Sequence, residues 1–152
     1  GDEMLLAIRE LAERGFNAFI VHGFVGWSSG LEFVSKFTAE SGFKLITVIS
    51  MTHPGSGEFL DKHLEELVEP PIKSSAWVCV IVAHKPDYIA RARNVFRENG
   101  VDVKILSPGI GVQGVKPGSA LKHGADYEIV GRAVTWSEKP REKLLEYYGE
   151  NP

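Results

Sequence analysis

The chain has 152 residues, 43% hydrophobic and 24% charged, with a formal net charge of −3. That composition suits one ordinary domain with a real core and excludes a disordered chain. The balance of charge points to no nucleic-acid or membrane partner, and no run of about 18 apolar residues is present to span a bilayer.

Helix and strand alternate from the start. Asp2 can cap a helix carrying Leu5, Ile8, Leu11 and Ala12 on its apolar side and stopping at Gly15. The first methionine is Met4, so Gly1-Asp2-Glu3 reads as a tag remnant or the tail of longer upstream sequence, and no signal peptide precedes the helix. Asn17–His22 is a short buried strand, Gly23–Gly30 a loop, and Leu31–Glu40 a helix with Gly42 as its stop. The second strand is Phe43–Ser50, followed by the loop Met51–Gly57. A helix is expected over Glu58–Val68, ended by Glu69-Pro-Pro71. Trp77–Ala83 is the third strand, and Pro86 opens a helix running to Asn99-Gly100. Val103–Leu106 is the fourth strand, Ser107–Gly114 a glycine-rich loop and Pro117–His123 a short helix. Tyr127–Val130 is the fifth strand, and a last helix runs from Pro140 to near Gly149.

The strands are continuous apolar runs spaced about 25–30 residues apart, the pattern of βα units in a parallel sheet buried on both faces. No linker interrupts them, so residues 1–152 read as a single α/β domain. Five parallel strands and about six helices fit a partial (β/α)8 TIM barrel or, alternatively, an open flavodoxin-like sheet. A complete barrel typically needs about 200 residues or more, and this chain is shorter. The single cysteine, Cys79, lies in the strand run Trp77–Val82 and reads as buried, which excludes a disulfide framework and suits a cytoplasmic location.

Polar residues and glycines gather just after each strand, at the binding end of either architecture. The last two such loops carry the strongest chemistry. Gly109, Gly111 and Gly114 permit positive φ and close backbone approach, so that N–H groups can converge on an anion. Gln113 adds an amide donor, and Arg132, next to Gly131 directly after the fifth strand, can make two charge-assisted bonds to a phosphate. The bland alternative is that the glycines only form turns and Arg132 pairs with a surface carboxylate such as Glu138. The histidines lack metal-ligand spacing, so no metal is expected, and no serine sits in a nucleophile elbow.

Ser107-Pro-Gly-Ile-Gly-Val-Gln-Gly114, Gly124-Ala-Asp-Tyr-Glu-Ile-Val-Gly-Arg-Ala133 and Pro140-Arg141-Glu142 resemble the archaeal-type orotidine 5′-monophosphate decarboxylases. Val21-His-Gly-Phe-Val-Gly26 and Met51-Thr-His-Pro-Gly55 resemble that family's loops after the fourth and fifth barrel strands. The resemblance covers essentially the whole chain as the fourth to eighth βα units of a ribulose-phosphate-binding type barrel. It implies that Gln113, Gly131 and Arg132, with Gly111 in the same loop, hold a 5′-phosphate. Thr52 stands where the family has a serine that hydrogen-bonds the pyrimidine, and Pro108 falls near the base or in the loop covering the phosphate. His22 matches a position near the substrate end of its strand but reads first as a hydrogen-bonded structural residue; His53 reads as part of a turn.

Two departures stand out. Val115 replaces a second glycine, and Ala83-His84-Lys85-Pro86 replaces a usually longer loop after the sixth barrel strand. The family's catalytic Asp-x-Lys-x-x-Asp set has no counterpart here, so no catalytic residue is expected in this chain, and Asp2 reads as a helix cap. The resemblance implies decarboxylation of orotidine 5′-monophosphate (OMP) to uridine 5′-monophosphate (UMP) without cofactor, in a homodimer. The alternatives are an inactive half-barrel that only binds phosphate or nucleotide, or a sister barrel enzyme acting on a sugar phosphate.

Overall fold

The computed structural model describes residues 1–74 and 76–149. Its five strands are β1 (Ala18–His22), β2 (Lys44–Val48), β3 (Val78–Val80), β4 (Lys104–Ile110) and β5 (Tyr127–Val130). All neighbours are parallel, in the order β1-β2-β3-β4-β5. A flavodoxin-like sheet reverses direction at a switch point, whereas a barrel adds each strand beside the last. The strictly sequential order therefore removes the open-sheet alternative and establishes the partial barrel.

The sheet buries its two faces differently. On the helix-facing side Phe19, Val21 and Leu45 pack with Ile8, Leu31 and Val34, where α1 (Asp2–Glu13) and α2 (Glu32–Ser41) lie. Cys79, Ile81 and Ile105 pack with Ile89, Ala92 and Phe96 of α5 (Pro86–Glu98). The opposite, inward face carries Ile46, Val78 and Val80, with Val48 and Leu106 beside them. At its margins Ile20, Tyr127 and Ile129 stay exposed. Among the described residues β1 and β5 each have one strand neighbour, so the arc is open at both edges.

Several elements differ from expectation. The helix expected over Glu58–Val68 breaks into two 3-10 turns (Pro54–Glu58 and Leu60–His63) and a short α3 (Leu64–Leu67). Phe59 interrupts it at φ −134°, ψ −65°. Glu69-Pro-Pro71 does not end a helix but starts α4 (Glu69–Lys73), because proline in a first turn forfeits no intrahelical bond. β4 runs on through Ser107-Pro-Gly-Ile110, which was expected to be loop. There Pro108 pairs with Ile129 and Ile110 with Val130, leaving Gly109 as a bulge. The remaining helices are α6 (Ser119–Lys122), an unforeseen α7 (Arg132–Thr135) and α8 (Pro140–Tyr148). Among the described residues eight α-helical segments thus replace about six, through splitting rather than through a new layer.

Candidate functional site

Every strand ends on the same side of the sheet, so the loops after β1 to β5 form one rim. One hollow lies between the ends of β4 and β5. It encloses about 190 Å³ and is lined by Pro108, Gly109, Ile110, Val112, Gln113, Ile129, Gly131 and Arg132. Local sequence explains its shape. Gly109 adopts φ +112°, which lets the bulge form, and the Gln113 carboxamide folds against it, 3.2 Å from where a Cβ would stand.

Beyond the bulge the chain closes a tight loop. The Gly111 N–H donates to Val115 O and the Gly114 N–H to Gly111 O, each at 2.8 Å. Those two amides are therefore occupied, while the Val112 and Gln113 N–H groups make no backbone hydrogen bond among the described residues. Gly111 stands behind the hollow rather than lining it. It has φ +82°, and a Cβ there would lie 2.7 Å from the Ala133 Cβ and 3.1 Å from the Tyr147 hydroxyl. The loop needs glycine at 111 to lie this close to α7 and α8. Ser107 is buried in β4, its hydroxyl unpartnered among the described residues, and does not reach the hollow.

Arg132 begins α7 with its guanidinium over the Trp136 ring, 5.4 Å from the centroid. Among the described residues it makes no ion pair, with Glu138 or otherwise, so its donors are available to an anion. The same end of the sheet is braced by Glu128. Its carboxylate accepts the Gly118 and Ala120 N–H groups and the Tyr148 hydroxyl, each at 2.8 Å.

The structure thus brings Pro108, Gln113, Gly131 and Arg132 together and leaves Thr52 apart. Thr52 is exposed on the loop after β2, two strands away. That loop is tied down by Lys85, from the Ala83–Pro86 segment that departs from the family pattern, and by Asp61, which the sequence did not single out. Lys85 Nζ donates to both Asp61 carboxylate oxygens (2.6 and 2.7 Å), to Met51 O (3.2 Å) and to Ser56 Oγ (3.3 Å). Ser56 also donates to Asp61 at 2.8 Å, and the Tyr88 hydroxyl donates to Asp61 O at 3.0 Å. Burial alone raises the Asp61 carboxyl, but the hydrogen bonds from Lys85 and Ser56 and the Lys85 charge outweigh it and hold it below its ordinary value. No local motif announces a pair 24 residues apart on different loops.

His22 ends β1 and stacks on Phe24 at 4.8 Å, with no hydrogen-bond partner among the described residues. The His53 carbonyl accepts the Ser56 N–H at 3.1 Å, and its ring lies against Gly55, as a turn residue does. Among the described residues no three His, Cys, Asp or Glu side chains converge as a metal site. Burial pushes the Cys79 thiol far up, which makes it inert as a nucleophile.

Residues 1–147 match the family described as "Orotidine 5'-phosphate decarboxylase / HUMPS family". An orotidine 5′-phosphate decarboxylase of Aeropyrum pernix is 45% identical over 138 residues, covering 90% of this chain and 54% of that protein. One from Thermococcus kodakarensis is 36% identical over 145 residues, covering 95% of this chain and 64% of the relative. The crystal structure of the Metallosphaera sedula enzyme superposes with a TM-score of 0.81 at 39% identity, covering 96% of this chain and 65% of that one. The Methanocaldococcus jannaschii enzyme, solved in complex with inhibitor BMP, gives 0.76 at 30% identity, covering 86% and 59%. The chain therefore spans a little over half to about two thirds of the length of these relatives.

Proposed function

This chain belongs to the orotidine 5′-phosphate decarboxylase / HUMPS family, and on that premise we propose that it supplies the phosphate grip and part of the pyrimidine pocket of an OMP decarboxylase. The reaction is conversion of OMP to UMP and carbon dioxide in pyrimidine biosynthesis. The observation that carries the reading is the hollow between β4 and β5, where Gln113 and Gly131 stand beside an Arg132 without an ion pair among the described residues.

In this reading the Arg132 guanidinium holds two phosphate oxygens, and the Gln113 side chain with the Val112 and Gln113 amides takes the others. Gly111 contributes by keeping the loop close to α7, and Pro108 forms the wall towards the base. The Thr52 hydroxyl hydrogen-bonds the pyrimidine. Loss of carbon dioxide leaves negative charge on a pyrimidine carbon, which an ammonium group must stabilise and then protonate. The sequence holds no Asp-x-Lys-x-x-Asp set to supply that ammonium. The role of this chain is then to anchor the nucleotide, so that binding energy far from the reacting carbon is available for the chemistry there. No metal or organic cofactor takes part. We propose a homodimer in the cytoplasm, since the inward face leaves Ile20, Tyr127 and Ile129 exposed and Cys79 is a buried free thiol.

Calorimetric titration with UMP tests the nucleotide site: saturable binding is expected, and none at millimolar ligand would sink the reading. Intact mass tests the catalytic part. A mass exceeding the 152 residues, with an Asp-x-Lys-x-x-Asp segment in the excess, is expected of a working decarboxylase. A mass matching them alone leaves the non-catalytic half-barrel. The family description also spans HUMPS, and turnover of a sugar phosphate that depends on added divalent metal would favour that sister activity instead.

A further inference from the structure

We propose that Lys85 and Asp61 are positioning residues for the base-binding loop: Lys85 pins the peptide unit immediately before Thr52, and Asp61 holds Lys85 in place to do so. The inference rests on the reading of Thr52 as a pyrimidine contact and adds to it the device that sets its position.

Three features of the cluster favour this role over a surface ion pair. First, the pair is well enclosed, with side-chain exposures of 17% for Lys85 and 15% for Asp61. The exposed pair Arg14–Glu10, by contrast, is 67% and 64% exposed, and such pairs hold little in place. Second, the ammonium has four acceptor contacts converging from one neighbouring loop: two carboxylate oxygens, Ser56 Oγ and Met51 O. An ammonium carries three donors, so these contacts saturate it and restrict its freedom. Third, the one backbone acceptor is Met51 O, in the peptide that joins Met51 to Thr52. Thr52 itself is exposed, and the loop around it has only short 3-10 turns. An exposed hydroxyl on such a loop keeps a fixed position only if something fastens its backbone, and Lys85 does so from the neighbouring loop. Lys85 is held from behind as well, because Pro86 starts α5 and its Tyr88 ring lies 5.7 Å from Nζ.

Lys85→Met keeps the length and apolar stem and removes the charge; Lys85→Arg keeps the charge; Asp61→Asn removes the anchor. Each variant of the full chain is titrated with UMP and with ribose 5-phosphate, which carries the phosphate handle without the base. Hydrogen exchange is followed on the peptide spanning Met51–Gly57. Lys85→Met and Asp61→Asn are expected to weaken UMP by about tenfold, to leave ribose 5-phosphate within about twofold, and to speed exchange at Met51–Gly57 by about tenfold or more, with Lys85→Arg close to the parent. Equal weakening of both ligands would mean general damage and overturns the proposal, as does unchanged exchange or unchanged UMP affinity in Lys85→Met. If the parent protein binds ribose 5-phosphate as tightly as UMP, or binds neither, the assignment of the base site falls and the positioning role falls with it. The exchange data then still report whether the clip exists.

Discussion

Arg132 rests on Trp136 at 5.4 Å, and Trp136 is 74% exposed. A cation–π contact at an exposed site contributes about 0.5–1 kcal/mol, whereas a charge-assisted hydrogen bond contributes about 1.5–3 kcal/mol. On the proposed reading, an arriving phosphate is therefore expected to hold the guanidinium more strongly than the ring does. Two outcomes are expected. Arg132→Ala weakens UMP binding by about 1.5–3 kcal/mol in calorimetric titration. UMP also changes the tryptophan emission of the parent protein, and most of that change is lost in Trp136→Phe; an undiminished change would contradict the exchange of partners. Gly111 makes a purely steric prediction. Alanine there adopts φ +82° and brings a Cβ within 2.7 Å of Ala133, so Gly111→Ala costs about 1–3 kcal/mol in urea denaturation.

Two braces hold the elements that carry these residues. Glu128, on the helix-facing side of β5, ties the start of α6 and the end of α8 to the strand that delivers Gly131 and Arg132. Glu128→Ala leaves two amides and a partly buried hydroxyl without their acceptor, and a loss of about 1–3 kcal/mol is expected in thermal or urea melts. The phenol of Tyr148 is pushed well up by its burial and by the carboxylate beside it, so this brace keeps its proton through ordinary alkaline conditions. The Lys85–Asp61 clip is sensitive to acid instead. The Asp61 carboxyl is held below its ordinary 3.8 in the folded protein. It therefore binds a proton less readily folded than unfolded, and its contribution is complete above 3.8 and lost as pH falls through the lower folded value. Protection of Met51–Gly57, measured against the intrinsic exchange rate at each pH, should fall over that acid range, and Asp61→Asn should remove this acid dependence.

At the scale of the whole molecule the open arc dominates. Ile20 is 60% exposed, Tyr127 47% and Ile129 38%, all on the inward face, and β1 and β5 each present an unpaired edge among the described residues. Such a face and such edges favour association. Light scattering is expected to give a mass of at least two copies, and a monodisperse monomer would contradict it. Because the chain spans 54% of the Aeropyrum pernix relative and 64% of the Thermococcus kodakarensis one, the same measurement on a protein of their length tests whether the face is covered within one chain.

The sequence by itself determined where the five strands lie, that they run parallel, and that Gln113, Gly131 and Arg132 follow two successive strands. Each of these follows from short-range information: apolar runs bounded by glycine and proline, and two motifs on adjacent βα units. Strand order was not legible in the periodicity, which barrel and open sheet share, and was implied only by the family resemblance; the two differ in where the crossovers lead. The break at Phe59, the extension of β4 through Pro108 and the start of α4 at a proline pair were equally hidden, because in each case pairing or packing overrides local propensity. The Ala83–Pro86 loop stood out in the sequence, but the pairing of its Lys85 with Asp61 was hidden for the plainest reason. Their loops meet only because β2 and β3 lie side by side, and contact between loops is a property of the folded sheet.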